Sequence, residues 1–246
     1  MKFLVVIFSL LSISLAQKLP FGFKRCSIKD NECLVEAVQE AIPKFKDGIK
    51  EFGIPPTDPL FIPEMSIGGG QQVIQLNQVY KNVSLKGLSN SKVTSFSFDM
   101  KDERILLYTT VDKLVISGHY TASGKILLLP VDGSGPFTIV LDQPVGTLLV
   151  DFAIHSKKGQ KHLRANSAKL LFDVSHASYN FTNLLKRNRN IEQSLGKVLN
   201  ENWKEIFDEL VPFYTDAYAQ ALLQVVNRFF SRVPLSEVFL DYEYRQ

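Results

Sequence analysis

The stretch NRNIEQSLGKVLNENWKEIFDELVPFYTDAYAQALLQVVNRFFSR, residues 188–232, decides how the rest of the chain must be arranged. Apolar residues recur in it at Ile191, Leu195, Val198, Leu199, Ile206, Phe207, Leu210, Ala217, Ala221, Leu222, Val225 and Phe229. That spacing puts them on one face of a helix. Pro212 is the one interruption. It lacks the N–H owed to the carbonyl of Asp208 and its ring crowds that carbonyl, which predicts a kink or two successive helices. The apolar register continues past it, which favours the kink. Trp203, Tyr214 and Tyr218 widen the apolar arc, so a helix on the order of 60 Å long needs cover over much of its circumference.

The cover comes from the preceding residues, where the period changes to two between Val73 and Phe181. Thr94, Phe96, Phe98 and Met100 alternate with Val93, Ser95, Ser97 and Asp99, the pattern of a half-buried antiparallel strand. Ile105 to Ile116 is more evenly apolar, as expected of a strand covered on both faces. Further strands are expected at Gly118 to Val131, Phe137 to Leu141, Thr147 to Ile154 and Leu163 to Phe181. Turns are expected at Asp102-Glu103, Asp132-Gly133-Ser134-Gly135 and Lys157-Lys158-Gly159-Gln160. Long strands joined by short turns make an up-and-down meander. The expected fold is therefore α+β, with a coiled antiparallel sheet of about six strands rolled around one long C-terminal helix.

Ahead of the sheet, residues 1–16 read as a secretory signal: Lys2, then an apolar run from Phe3 to Ile13, then Ser14-Leu15-Ala16. The run is too short to span a bilayer as a helix, and no later run of about 18 apolar residues follows. Residues 17–246 are expected to form one domain, since no Pro/Ser-rich linker divides them. A net charge of +3 gives no strong pull on nucleic acid or anionic membranes. Cys26 and Cys33, seven apart, can pair in a secreted protein, the alternative being two free thiols. The closed loop would contribute about 2 to 2.5 kcal/mol. Asp30 or Asn31 can cap a helix running to about Ile42, with Leu34, Val35 and Val38 on one face. The prolines between Ile54 and Leu60 make that segment a rigid connector.

Taken in order, several runs resemble the insect takeout and haemolymph juvenile hormone binding protein family. They are Cys26 to Ile42, Gly53-Ile54-Pro55 with Asp58-Pro59-Leu60, Lys81 to Ser89, Phe96-Ser97-Phe98-Asp99, Gly118-His119-Tyr120, Gly124 to Val131, Gly133-Ser134-Gly135, Leu199-Asn200-Glu201-Asn202-Trp203 and Val233 to Phe239. The resemblance implies a long helix wrapped by a strongly curved antiparallel sheet around an internal hydrophobic tunnel, similar to half of a tubular lipid-binding protein. It also implies a secreted, monomeric carrier of a small elongated apolar ligand, a juvenile-hormone-like terpenoid or a fatty acid, in hormone, chemosensory, circadian or feeding-related signalling. The haemolymph hormone carriers have a second disulfide for which this chain has no cysteines, so it looks like the takeout branch.

No catalytic constellation accompanies these features. There is no Gly-x-Ser-x-Gly elbow, His-Glu-x-x-His or phosphate loop, and an enzyme is not expected. Gly68-Gly69-Gly70 precedes a strand and reads as a turn or bulge. His119, His155, His162 and His176 are scattered singly, so neither a metal site nor a cofactor is expected. Asn82-Val83-Ser84 and Asn180-Phe181-Thr182 are glycosylation sequons. If there is a tunnel, as the resemblance implies, its candidate lining is Phe96, Phe98, Tyr108, Tyr120, Phe137, Leu148, Phe152, Phe172, Leu199, Trp203, Phe207, Tyr214 and Tyr218, although for each of them taken singly ordinary core packing is the stronger reading. The hydroxyl of Tyr120 can bond either the protein or a ligand's ester, epoxide or carbonyl. A filled interior would instead make this a secreted protein acting through its surface on a receptor or membrane.

Overall fold

The computed structural model describes residues 18–68, 74–126, 128–185 and 189–242. The signal segment, Gly69, Gly70, the strand start at Val73 and the helix start at Asn188 lie outside them. Among the described residues there are nine strands: β1 (Leu60–Ile67), β2 (Ile74–Lys86), β3 (Lys92–Asp99), β4 (Arg104–Thr110), β5 (Lys113–Ile126), β6 (Leu129–Asp142), β7 (Val145–Lys157), β8 (Gln160–Asp173) and β9 (His176–Phe181). All pair antiparallel, in the orders β1-β2-β5-β6-β9 and β3-β4-β7-β8. The arrangement is not a simple meander. Successive hairpins alternate between the two sheets, so β5 lies beside β2 and β7 beside β4.

The two sheets nevertheless share one register. Lys113 pairs with Asp142 in the first and Thr110 with Val145 in the second, leaving two residues on each chain between them. Those residues are themselves bonded, Val111 N to the Pro144 carbonyl and Gln143 N to the Asp112 carbonyl, both at 3.0 Å. The structure is thus a coiled sheet creased along Asp112 and Gln143. Pro144 cannot donate to a ladder and Gln143 has φ +48°, which places the crease there. The apolar run Ile105 to Ile116, expected as one strand, is cut by this crease into β4 and β5.

Two of the expected turns form as read: Glu103 (φ +49°) joins β3 to β4, and Lys158-Gly159 (φ +52° and +80°) joins β7 to β8. Asp132 to Gly135 does not turn. These residues continue β6, with Asp132 opposite Ser123 and Gly135 opposite Tyr120. Their glycines admit a neighbouring backbone instead, since a Cβ on Gly133 would lie 2.1 Å from the Asn183 carbonyl oxygen and one on Gly135 would lie 2.6 Å from that of Thr182. Pro63 falls in β1, an edge strand, where a missing donor is tolerated.

The helices are α1 (Asn31–Ala41), α2 (Arg189–Glu201), α3 (Trp203–Phe230) and the short α4 (Leu235–Val238). Asp30 caps α1, its Oδ1 accepting from Cys33 N at 3.0 Å. The break in the long helical stretch falls at Asn202, not at Pro212, which lies inside α3. Asn202 turns its side-chain amide onto the Val198 carbonyl at 2.8 Å, the backbone competition that makes asparagine a weak helix former. Pro212 removes one hydrogen bond, but Ile206, Phe207 and Leu210 before it and Thr215, Tyr218 and Ala219 after it are all buried, and that burial offsets the loss.

Cys26 and Cys33 are disulfide-bonded, with Cα atoms 5.7 Å apart. The bond pins the N-terminal segment beside the C-terminus, where Cys26 bridges to Phe239 and the Asp241 carboxylate accepts from Ser27 Oγ (2.7 Å) and Ile28 N (3.0 Å). A second clamp holds the connector ahead of β1. Asp58 accepts from Gly87 N (3.0 Å), Ser89 N (2.9 Å) and Ser89 Oγ (2.5 Å). Burial would raise its pKa, but the Ser89 hydroxyl and the two amides outweigh it and hold the carboxyl below its usual value. A depressed folded pKa stabilises the fold above the unfolded value of about 3.9 and is lost as pH falls through the folded one. Asp58→Ala is therefore expected to cost about 1–2 kcal/mol at pH 7 after allowing for solvent screening. Denaturant titrations should show the gap to the native chain closing below about pH 4. A gap that stays constant with pH would mean that the carboxylate does not carry the clamp.

Candidate ligand cavity

The crease, the two sheets and α3 enclose a cavity of about 230 Å³. Alternation along each strand decides which residues reach it. Leu107 and Thr109 on β4, Leu114 and Ile116 on β5, Ile139 and Leu141 on β6, and Leu170 and Phe172 on β8 all point inward, with Pro144 at the crease. From α3 come Phe207, Val211, Tyr214, Thr215, Tyr218, Leu222 and Val225, a face running roughly 27 Å along the helix at 1.5 Å per residue. One end is formed by Ile42, Phe45 and Leu88, all partly exposed. The cavity is therefore elongated.

A second, smaller cavity of about 30 Å³ adjoins it, lined by Leu76, Gln78, Tyr80, Tyr120, Leu199 and Leu210 among others. Tyr179 and Tyr214 belong to both walls. Among the described residues, no Asp, Glu, Lys, Arg or His lines either space. Three hydroxyls of the larger cavity bond nearby backbone carbonyls. Thr57 Oγ1 donates to the Phe45 carbonyl (2.9 Å), Ser91 Oγ to Leu88 (2.7 Å) and Thr215 Oγ1 to Pro212 (3.0 Å). Burial pushes the phenols of Tyr80, Tyr179, Tyr214 and Tyr218 well above their ordinary range, so they remain neutral donors at physiological pH.

Of the residues singled out from sequence, Leu148, Phe172, Phe207, Tyr214 and Tyr218 line the larger cavity, and Tyr120, Leu199 and again Tyr214 line the smaller. Tyr120 bonds the protein, donating to the Thr182 carbonyl at 2.8 Å. Phe137 is buried between Tyr80 and Phe181, with ring centroids at 5.0 and 5.4 Å, and reaches neither space. Trp203 packs on His176 at 5.0 Å.

Phe96, Phe98 and Phe152 lie elsewhere, in a separate core under α1 and the C-terminal segment, with Phe98 stacked on Phe152 at 5.0 Å and 4.7 Å from Phe239. Tyr108 faces outward and is 39% exposed, because Leu107 and Thr109 take the inward positions of β4. Aromatic spacing points to Leu148 and Leu199 among aliphatics but passes over the rest of the aliphatic lining, together with Gln78, Tyr80 and Tyr179. The clue available was the alternation Leu114-Val115-Ile116-Ser117, with Ile139 and Leu141 opposite in register.

The model of the haemolymph juvenile hormone binding protein family matches residues 3–240. The chain belongs to that family. Its fold is that of Takeout 1 of Epiphyas postvittana, whose crystal structure superposes with a TM-score of 0.81 at 27% identity, covering 87% of this chain and 98% of the other. The circadian clock-controlled protein daywake of Drosophila yakuba is 24% identical over 235 residues, 92% of this chain and 90% of its own length. The putative beta-carotene-binding protein of Schistocerca gregaria is 31% identical over 146 residues, 58% of this chain and 57% of its own. Within the stretch Leu199 to Trp203, Asn200 bonds both backbone groups of Tyr179 (2.8 and 2.9 Å) and so docks α2 on edge strand β9.

Proposed function

We propose that this member of the family is a secreted carrier that holds an elongated, uncharged apolar molecule, terpenoid or fatty acyl, along α3. The single observation that carries the reading is the elongated cavity along α3, in whose wall no charged residue is found among the described residues. Membership of a family named for juvenile hormone binding, and resemblance to a relative named for beta-carotene, support the same ligand class. The expected signal at residues 1–16 supports secretion, and no helix among the described residues is long and apolar enough to cross a membrane. Asn82 and Asn180 are both exposed and suited to carry glycans. The carried molecule would serve hormonal, chemosensory, circadian or feeding-related signalling.

The test is uptake of a matched pair, a sixteen-carbon fatty acid and its methyl ester, measured by displacement of an apolar fluorophore and by native mass spectrometry. An ionised carboxylate entering this wall would lose its hydration with no cation to meet it, at a cost of several kcal/mol. The ester is expected to bind at least about tenfold tighter than the acid at pH 7.5. The difference should shrink as pH falls and the acid becomes neutral. Equal or tighter binding of the acid at pH 7.5 would overturn the uncharged-ligand assignment, and failure of every member to bind would overturn the carrier reading.

A further inference from the structure

The inference drawn here rests on the carrier reading and deepens it. Between the two cavities stands a row of polar groups on β2 and α3. The Tyr214 hydroxyl donates to Tyr80 Oη at 2.8 Å, and Tyr80 in turn donates to Gln78 Oε1 at 2.5 Å. The row ends without closing. Gln78 is 5% exposed, lines the smaller cavity, and its Nε2 has no acceptor; Tyr218 is 6% exposed, lines the larger cavity one turn beyond Tyr214, and its hydroxyl has no partner. Among the described residues these are the two buried side-chain polar atoms left unpaired.

An unpaired polar atom shut away from water has lost its hydration with nothing in return, so two of them on adjoining apolar walls call for an explanation. Turning the Gln78 amide over does not remove the vacancy. Nε2 would then donate to Tyr80 and Oε1 would be the open atom, so one end of the amide stays free in either orientation. The neighbouring Thr57, Ser91 and Thr215 show that this wall satisfies its hydroxyls internally where it can.

We propose that Gln78 and Tyr218, held by the Tyr80–Tyr214 pair, form a polar seat for a neutral carbonyl or ester group of the ligand at the junction of the two cavities. Gln78 Nε2 donates to the carbonyl oxygen on the side of the smaller cavity. Tyr218 Oη donates to a second oxygen on the other side, and the hydrocarbon lies along α3 in the larger space. The seat would select an oxygenated chain over a hydrocarbon of the same length.

The experiment compares hexadecanoic acid methyl ester with heptadecane as competitors of a bound apolar fluorophore, 1-N-phenylnaphthylamine, on the whole protein and on Gln78→Leu and Tyr218→Phe. Each substitution is expected to weaken the ester by about three- to tenfold, the equivalent of one lost hydrogen bond, and to leave heptadecane within about twofold. Tyr218→Phe removes one unpaired hydroxyl and no bond, so it keeps the test valid if Gln78→Leu does not fold. An unchanged ester-to-hydrocarbon ratio in Tyr218→Phe and in every folded Gln78 variant would overturn the seat while leaving the carrier reading intact. Failure of the unmodified protein to take up the fluorophore, the ester or the hydrocarbon would overturn both.

Discussion

Phenylalanine in place of Gly146 is expected to weaken ligand uptake by roughly fivefold to 150-fold while leaving the fold intact. Gly146 lies on β7 between Thr109 and Phe172 in register, and its missing side chain is part of the cavity wall. A Cβ built there meets Thr109 Oγ1 at 3.4 Å, Phe172 Cδ2 at 3.8 Å and Leu170 Cδ1 at 3.9 Å, which is ordinary contact. The backbone therefore accepts a side chain, and the ring has one direction to grow, into the space between the sheet and α3. Strand glycine is a weak choice on propensity, and filling a cavity commonly stabilises. Its melting temperature should consequently hold or rise. A ligand forced to share the space meets an overpacking cost of about 1–3 kcal/mol, which weakens binding by roughly fivefold to 150-fold. Gly146→Ala should fall between. Fluorophore binding that Gly146→Phe leaves unweakened with the fold preserved would place the binding site outside this cavity and favour a protein acting through its surface.

The second large effect is on stability. Asn227 on α3 uses both ends of its amide on one residue of β8, donating through Nδ2 to the Ala165 carbonyl and accepting from Ala165 N, each at 2.9 Å. β8 is the free edge of its sheet, and the register slips beside Ala165, where Asn166 has no opposite number between Asp151 and Phe152. The side chain thus stands in for a missing strand, much as Asn200 does for β9 at the edge of the other sheet. Ala165 is 4% exposed, so water does not replace the amide. Asn227→Ala strands a buried N–H and a buried C=O, and is expected to cost about 2–4 kcal/mol. For a chain of this size that is roughly 5–15 °C in melting temperature. Asn200→Ala should cost a similar amount, and the two should add, because they dock different helices on different edges. A loss below about 0.5 kcal/mol for Asn227→Ala would mean that the helix is held by apolar packing alone.

Much of this architecture is legible in the residues. The long helical face from Leu195 to Phe229, the Asp30 cap and the hairpins at Glu103 and Lys158-Gly159 all follow from spacing and turn chemistry, because each depends on neighbours in the chain. Reading went astray where the deciding partner is distant. Asp132 to Gly135 has the composition of a turn, yet its glycines serve the close approach of residues 182–184. Pro212 has the chemistry of a break, yet the break falls at Asn202, because burial on both sides of the proline outweighs one hydrogen bond.

The candidate site divides in the same way. Local periodicity says that Phe98, Phe152 and Phe172 each face inward from a strand; it does not say which interior they face. Phe98 and Phe152 enter the core under α1 and Phe172 enters the cavity, although all three belong to the one sheet β3-β4-β7-β8. Spacing and composition along the chain suffice for the long apolar helical stretch, the two-residue period of the covering strands and the family resemblance, and they allow the disulfide that the structure forms. Only the tertiary structure decided where the sheet creases, which inner face opens on a cavity and which polar atoms stay unpaired there, because those properties come from strands and a helix that meet in space and are far apart in the chain.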